Sequence, residues 1–251
     1  MAGHSKWANI KHRKARQDAA RGRLWSKIAR AIIVAAKQGG PDPAANVQLR
    51  YAIEDAKAAN MPKDTIERNI KKGAGETGGD NYEHIRYEGY GAGGVAFIVD
   101  CLTDNRNRTA PELRTIFGKH GGSLGVTGSV AYLFEPKGVV RIAAESCTEE
   151  QVMEAAIDAG AEDVREEDGS WIVHTPPDAL FQVRQALENA GLRVESAGLD
   201  MIPLNTVAVR GAEARKVLNL VEALEEHDDV QKVHANFEIP DDEMAQLAAE
   251  S

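Results

Sequence analysis

A chain of 251 residues, 43% of them hydrophobic, can bury a sizeable core and is long enough for two or three compact units. Its formal net charge of −9 conceals a strong asymmetry: residues 1–72 hold 16 Lys/Arg against 6 Asp/Glu, net +10, and the remainder holds 14 against 33, net −19. No apolar run reaches the roughly 18 residues that cross a bilayer and the amino terminus has no secretory h-region, while Cys101 and Cys147 lie in unrelated surroundings and read as reduced thiols of a cytosolic protein.

The first thirty residues contain nine Lys/Arg and a single acid, Asp18. Residues 1–22 have too few apolar side chains to fold alone, so a disordered cationic arm that orders on a polyanion is expected. Trp7, set among the bases, is suited to stack on an unpaired nucleobase. An arginine-rich start also occurs in mitochondrial presequences, but those are serine-rich and only Ser5 and Ser26 fall here.

Over residues 24–37, Leu24, Ile28, Ile32 and Ala35 recur at helical spacing, Arg23, Lys27 and Arg30 line another face, and Gly39-Gly40-Pro41 ends the helix. Trp25 is expected in the core of this helical region. A second helix is predicted over 44–59, with Leu49, Ile53 and Ala56 inward. A third starts near Pro62 and ends at Gly73, with Lys63, Glu67 and Lys71 on one face and Arg68 and Lys72 at i,i+4. Residues 1–75 thus read as a basic helical domain.

The glycine-rich stretch 73–80 marks a boundary, after which the period changes. Strand 95–102, helix 109–120 and strand 129–134 are predicted next. Strand 139–143, helix 148–160, strand 171–174, helix 178–190 and strand 193–202 follow, and then strand 206–209, helix 211–224 and strand 230–237. The fold class is α+β with three domains, the last two ferredoxin-like βαββαβ sandwiches. Residues 81–135 with 204–240 form a discontinuous one, and residues 136–203 are inserted in it; two sequential domains are the alternative partition. Residues 241–251 read as an acidic, frayed tail.

Two strings imitate catalytic motifs. Gly89-Tyr90-Gly91-Ala92-Gly93-Gly94 matches G-x-G-x-x-G, but a strand follows it where a dinucleotide site needs a helix. Gly121-Gly122-Ser123-Leu124-Gly125 matches G-x-S-x-G, yet it lies between a helix and a following strand, the reverse of a nucleophile elbow. The seven histidines show no metal-ligand spacing with the cysteines, and the acidic clusters, such as Glu166-Glu167-Asp168, read as solvated faces and turns. No catalytic residue, metal or cofactor is therefore assigned.

The one-signed basic segment is the candidate site. Its nucleic-acid-binding residues are Lys6, Trp7, Lys11, His12, Arg13, Lys14, Arg16, Arg21 and Arg23, supported by Lys27, Arg30, Lys63, Arg68, Lys71 and Lys72. A secondary loop, Asn105, Arg106, Asn107 and Arg108, either contacts phosphates or caps the following helix.

The opening Met1-Ala2-Gly3-His4-Ser5-Lys6-Trp7-Ala8-Asn9-Ile10-Lys11-His12-Arg13-Lys14 resembles the signature start of the YebC family. The resemblance continues through Met61-Pro62-Lys63-Asp64-Thr65-Ile66-Glu67-Arg68, Tyr87-Glu88-Gly89-Tyr90-Gly91 and Thr103-Asp104-Asn105-Arg106-Asn107-Arg108-Thr109, and covers essentially the whole chain. It implies a helical amino-terminal domain and two α+β domains, one discontinuous. That family includes bacterial proteins described as probable transcriptional regulators and a mitochondrial relative that activates translation of a cytochrome oxidase subunit. Because the signature begins at Met1, a bacterial cytosolic protein without a presequence is expected.

For function, the resemblance implies either a ribosome-associated factor that relieves stalling, notably on proline-rich nascent chains, or a DNA-binding regulator at promoters. An arm that mixes Trp with Arg and Lys suits irregular RNA, and no helix-turn-helix with a recognition helix is evident. The expectation is a non-enzymatic translation factor, monomeric, partnered by ribosomal RNA, or by DNA in the alternative, with no membrane and no small-molecule substrate.

Overall fold

The computed structural model describes residues 17–75, 81–167, 169–240 and 242–244. In chain order the elements are α1 (Gln17–Gly39), α2 (Val47–Ala58), α3 (Lys63–Gly73), β1 (Glu83–Tyr90), β2 (Ala96–Thr103), α4 (Arg106–Lys119), β3 (Ser123–Leu124), β4 (Phe134–Ala143), α5 (Glu149–Ile157), β5 (Asp163–Glu167), β6 (Ser170–Thr175), α6 (Leu180–Asn189), β7 (Val194–Pro203), β8 (Val207–Ala208), α7 (Gly211–Glu226), β9 (Val230–Ala235) and β10 (Phe237–Glu238). They divide into two compact units, residues 132–206 and the rest of the described chain.

In the larger unit, α1 begins well before its predicted start. Residues 17–23 lack the apolar stripe, but Gln, Ala and Arg are strong helix formers and carry the helix outward. Arg21 therefore stands on helical backbone instead of in the expected arm. Asn46 joins α1 to α2: its Oδ1 accepts from Leu49 N–H at 3.0 Å as an N-cap, while its Nδ2 donates to Ala35 O and Gly40 O, each at 2.8 Å. Ile28, Ile32, Leu49, Ala56, Met61 and Ile66 close a small core. Trp25 packs against it and its indole donates to Ala59 O at 2.9 Å.

The same unit contains an antiparallel sheet of order β3-β1-β2-β9. The central strand β2 is buried at all eight positions, which explains its near-continuous apolar run. Phe97, Val99 and Cys101 face α4 and α7, where Leu113, Phe117, Val217, Leu220 and Leu224 complete the core. Phe97 and Phe117 meet edge to face with centroids 5.8 Å apart. No strand is predicted at Glu83–Tyr90, because EHIRYEGY lies largely on the surface and lacks a clean apolar alternation. The sheet accordingly opens on the β1–β2 hairpin.

Predicted strand 129–134 is corrected by the structure. Gly128 takes φ +85°, a short 3-10 turn occupies Ala131–Leu133, and β4 starts only at Phe134. The strand that follows α4 is instead the two-residue β3. Glu88 organises this crossing point: its buried carboxylate accepts from the backbone N–H groups of Gly128, Val130 and Ala131 at 2.7, 2.7 and 2.8 Å.

The second unit is a βαββαβ sheet of order β5-β6-β4-β7, all pairs antiparallel. Helices α5 and α6 bury Val152, Ala156, Val183 and Leu187 against Val140, Ile142 and Val173. Thr148 and Gln151 form a capping box that starts α5. Strand β5, DVREE, is not predicted, and its Glu166 and Glu167 belong to the cluster read as a solvated face or turn. As an edge strand it buries little, so its acidic composition hides its pairing with β6.

Candidate nucleic-acid interface

Lys6, Trp7, Lys11, His12, Arg13, Lys14 and Arg16 lie outside the described residues. Of the remaining basic candidates, Arg21 and Arg23 are exposed on α1, and Lys63, Arg68 and Lys71 are exposed on α3, with Lys72 half-buried beside them. The pair Lys63–Glu67, 3.6 Å apart with side chains 87% and 54% exposed, is too solvated to restrain the lysine.

Lys27 and Arg30 are differently placed. Lys27 Nζ donates to Glu225 O at 2.5 Å, and burial pushes its ammonium pKa down against the pull of Glu225 and Asp228. The Arg30 guanidinium donates to Asp228 O and, at 3.0 Å, to Asp229 Oδ1, and stands 5.6 Å from the Tyr82 ring centroid. Arg23 approaches Glu226 at 3.5 Å. All three meet the carboxyl-terminal end of α7, where unpaired carbonyls and the helix dipole concentrate negative charge. Its sequence, EALEEHDD, was the readable signal that these cations have an internal partner.

Asp229 is the centre of this contact. Its side chain is 2% exposed, and its second oxygen accepts from Arg108 Nη2 at 2.8 Å and lies 2.7 Å from the Thr109 hydroxyl. Burial alone would raise its pKa, but Arg108, Thr109 and the Arg30 charge hold the carboxyl below its usual range. The secondary loop is part of the same construction. Asn105 caps α4 by accepting from Arg108 N–H at 3.2 Å, Arg108 also bonds Asp104 at 3.1 Å, Arg106 stands 3.9 Å from Glu83, and Asn107 is exposed. Capping, the second of the two expected roles, is the geometry seen.

Glu112, His227 and Asp229 bring ligand-type atoms within 4.8 Å of one another, a grouping the sequence spacing did not reveal. Hydrogen bonding accounts for it. His227 Nδ1 accepts from Asp229 N–H at 3.2 Å, which places the imidazole proton on Nε2, 3.0 Å from Glu112 Oε2. A protonated Nε2 has no lone pair to give a metal, and the Asp229 oxygens are already taken. The catalytic look-alikes are also accounted for: residues 89–94 run from the end of β1 into the turn of the β1–β2 hairpin, and residues 121–125 run from the end of α4 into β3, with Gly121 at φ +76°.

Comparison with known proteins bears on the same residues. Residues 5–76 match the family model described as the TACO1/YebC protein N-terminal domain, and residues 82–237 match that of the TACO1/YebC second and third domain. A probable transcriptional regulatory protein of Rubrobacter xylanophilus is 56% identical over 250 residues, covering 99% of this chain and all of the relative. One of the same description from Aquifex aeolicus is 53% identical over 96% of this chain and 98% of its own length. The crystal structure of a conserved hypothetical protein from Aquifex aeolicus superposes with a TM-score of 0.85 at 52% identity, covering 94% of this chain and 97% of that one. No helix among the described residues is long and apolar enough to cross a membrane. With both family models matched and relatives aligned nearly end to end at more than half identity, the chain belongs to the TACO1/YebC family.

Proposed function

We propose that this protein is a non-enzymatic regulator of gene expression that acts in translation, contacting ribosomal RNA through its basic amino-terminal module and relieving stalled elongation, as on proline-rich stretches. The observation that carries the reading is charge segregation: net +10 over residues 1–72, with Arg21, Arg23, Lys63, Arg68 and Lys71 exposed, against net −19 over the remainder. Phosphate attracts the first part, because each neutralised phosphate releases counterions, and is repelled by the second. Such a molecule is suited to insert one end into an RNA cleft. A DNA-binding regulator at promoters is the second reading, favoured by the description that the relatives carry.

The test replaces Lys11, Arg13 and Lys14 together by Gln. The parent protein is expected to co-sediment with ribosomes on sucrose gradients and to crosslink to ribosomal RNA. The triple variant should bind more weakly, with a log–log salt slope shallower by about 2 to 3 for three lost phosphate contacts, and with an unchanged far-UV circular dichroism spectrum. Absence from ribosomes together with crosslinks to discrete duplex DNA sites would replace this reading by the second one.

A further inference from the structure

We propose that the outer face of α5, in the unit of residues 132–206, is a docking surface for a basic amphipathic segment of another protein. One side of α5 is core: Val152 and Ala156 are fully buried. The other carries two adjacent rows at helical spacing. Met153 and Ile157, 38% and 55% exposed, form an apolar row, and Glu150, Glu154 and Asp158 form an acidic one, with Glu149 at the head of the helix. Together with Thr148 these residues line a shallow groove.

Some carboxylates of this unit are paired and others, such as Glu145 and Glu166, have no basic partner among the described residues; those of this groove are set apart by the exposed apolar row beside them. Glu162 pairs with Lys137 at 2.6 Å, Asp163 pairs with Arg165, and Glu188 pairs with Arg184 at 2.8 Å. Among the described residues, none of Glu149, Glu150, Glu154 and Asp158 has a basic partner. Like charges at i,i+4 repel and Asp158 sits at the negative end of the helix dipole, whereas Glu149 and Glu150 in the first turn are favoured by its positive end, so Glu154 and Asp158 are the members of the row unfavourable to the free chain. The exposed apolar row beside it has the same sense, since neighbouring large apolar side chains in contact with water mark sites that become covered.

Charge complementarity selects the occupant. Four carboxylates without a basic partner among the described residues repel nucleic acid and anionic lipid, and the two apolar side chains beside them give a hydrated metal ion nothing to bind. A helix with Lys or Arg along one side and Leu, Ile or Met along the adjacent side satisfies both rows at once, in the helix-in-groove manner. The proposal does not depend on the reading of the basic module.

The experiment uses the full chain and a fluorescein-labelled, 18-residue helical peptide of alternating Leu and Lys rows, followed by anisotropy. The parent should bind it and should not bind the Leu/Glu peptide of the same pattern. Glu150→Gln/Glu154→Gln and Met153→Ser/Ile157→Ser should each weaken binding at least tenfold. Glu145→Gln/Glu166→Gln, which removes the same charge from exposed positions elsewhere, should change it less than twofold. The Glu150/Glu154 variant loses a favourable first-turn charge and relieves an i,i+4 repulsion of similar size, so it should melt close to the parent and its loss of binding would be local. Equal weakening by both double-Gln variants would reduce the effect to net charge and overturn the proposal. So would tighter peptide binding by the Lys11/Arg13/Lys14 variant, which would make the chain's own arm the occupant. A parent dimer that the Met153→Ser/Ile157→Ser variant abolishes would assign the face to self-association and overturn it likewise.

Discussion

Replacing Asp229 by Ala tests whether the ion cluster at the end of α7 holds the helical segment in place. The carboxylate is 2% exposed and serves Arg30 at 3.0 Å, Arg108 at 2.8 Å and Thr109 at 2.7 Å. Hydrogen bonds to charged groups contribute about 1.5–3 kcal/mol each when desolvated. Arg30 is only 18% exposed and loses that support in full, whereas Arg108 is 43% exposed and regains water, so its contribution must be discounted. Thr109 keeps Thr103 and Asn105 O as partners, so the total is about 2–4 kcal/mol, overlapping the lower end of the roughly 3–5 kcal/mol for breaking a buried ion pair. For a unit of this size that lowers Tm by roughly 5–15 °C. Thermal circular dichroism measures the loss, and hydrogen exchange of α1 and α4 amides localises it, since two compact units need not unfold together. Asn in place of Asp229 tests the ionic part. A carboxyl whose folded pKa is depressed contributes stability above its unfolded pKa of about 3.9 and loses it as pH falls through the folded value. The Asn variant should therefore be less stable near pH 7 and depend less on pH below about 4. An Ala variant within about 0.5 kcal/mol of the parent would refute the reasoning.

The cysteines should differ sharply in reactivity. Burial pushes the Cys101 thiol up to about 12, whereas Cys147 is half-buried, so a disulfide reagent should label Cys147 first and Cys101 only on unfolding. Equal rates in the native protein would count against the packing of β2. Gly73→Ala sets helix propensity against sterics. In an open helix Ala would stabilise by about 1 kcal/mol, but here its Cβ would press on Ile33 O and approach Ala36 Cβ to 2.7 Å, so a net loss of about 1–3 kcal/mol is expected by chemical denaturation. A stabilised variant would mean that α3 crosses α1 less closely than this.

What the sequence revealed depended on how deeply each residue is buried. Phe97, Val99 and Cys101 lie on β2, buried at all eight positions, and their apolar run was readable without any partner in view. The α1 and α7 core faces were readable for the same reason, since Ile28 and Ile32, or Val217, Leu220 and Leu224, repeat at helical spacing. β1 and β5 escaped because half-exposed and edge strands bury too little to impose an alternation. Gly128 and Glu88 explain why residues 129–134 were misread: a left-handed glycine and a carboxylate forty residues away fix a turn that Val130, Ala131 and Tyr132 would otherwise disguise as strand. At the candidate site the basic residue types were plain, but their allegiance was not. Sequence adjacency joins Lys27 and Arg30 to the cationic arm, whereas their partners lie about two hundred positions away.

That allegiance leads to a separation of effects. A guanidinium already held by Asp229 and by Asp228 O can take a phosphate only by giving up those partners, so Arg30 should contribute to folding and little to RNA affinity. Arg68 and Lys71, exposed on α3, have no such competitor among the described residues and should behave in the opposite way. Arg30→Gln is expected to lower stability by about 1–3 kcal/mol with an unchanged salt slope of RNA binding. Arg68→Gln/Lys71→Gln should leave stability within about 0.5 kcal/mol and make the slope shallower by about 1.4–1.8, two phosphates' worth. Urea titrations and filter binding across 50–200 mM salt resolve both effects. Weakened binding in Arg30→Gln without loss of stability would reverse the assignment: nucleic acid would then displace the carboxylates at the end of α7, and the segment they hold would have to move when the protein binds.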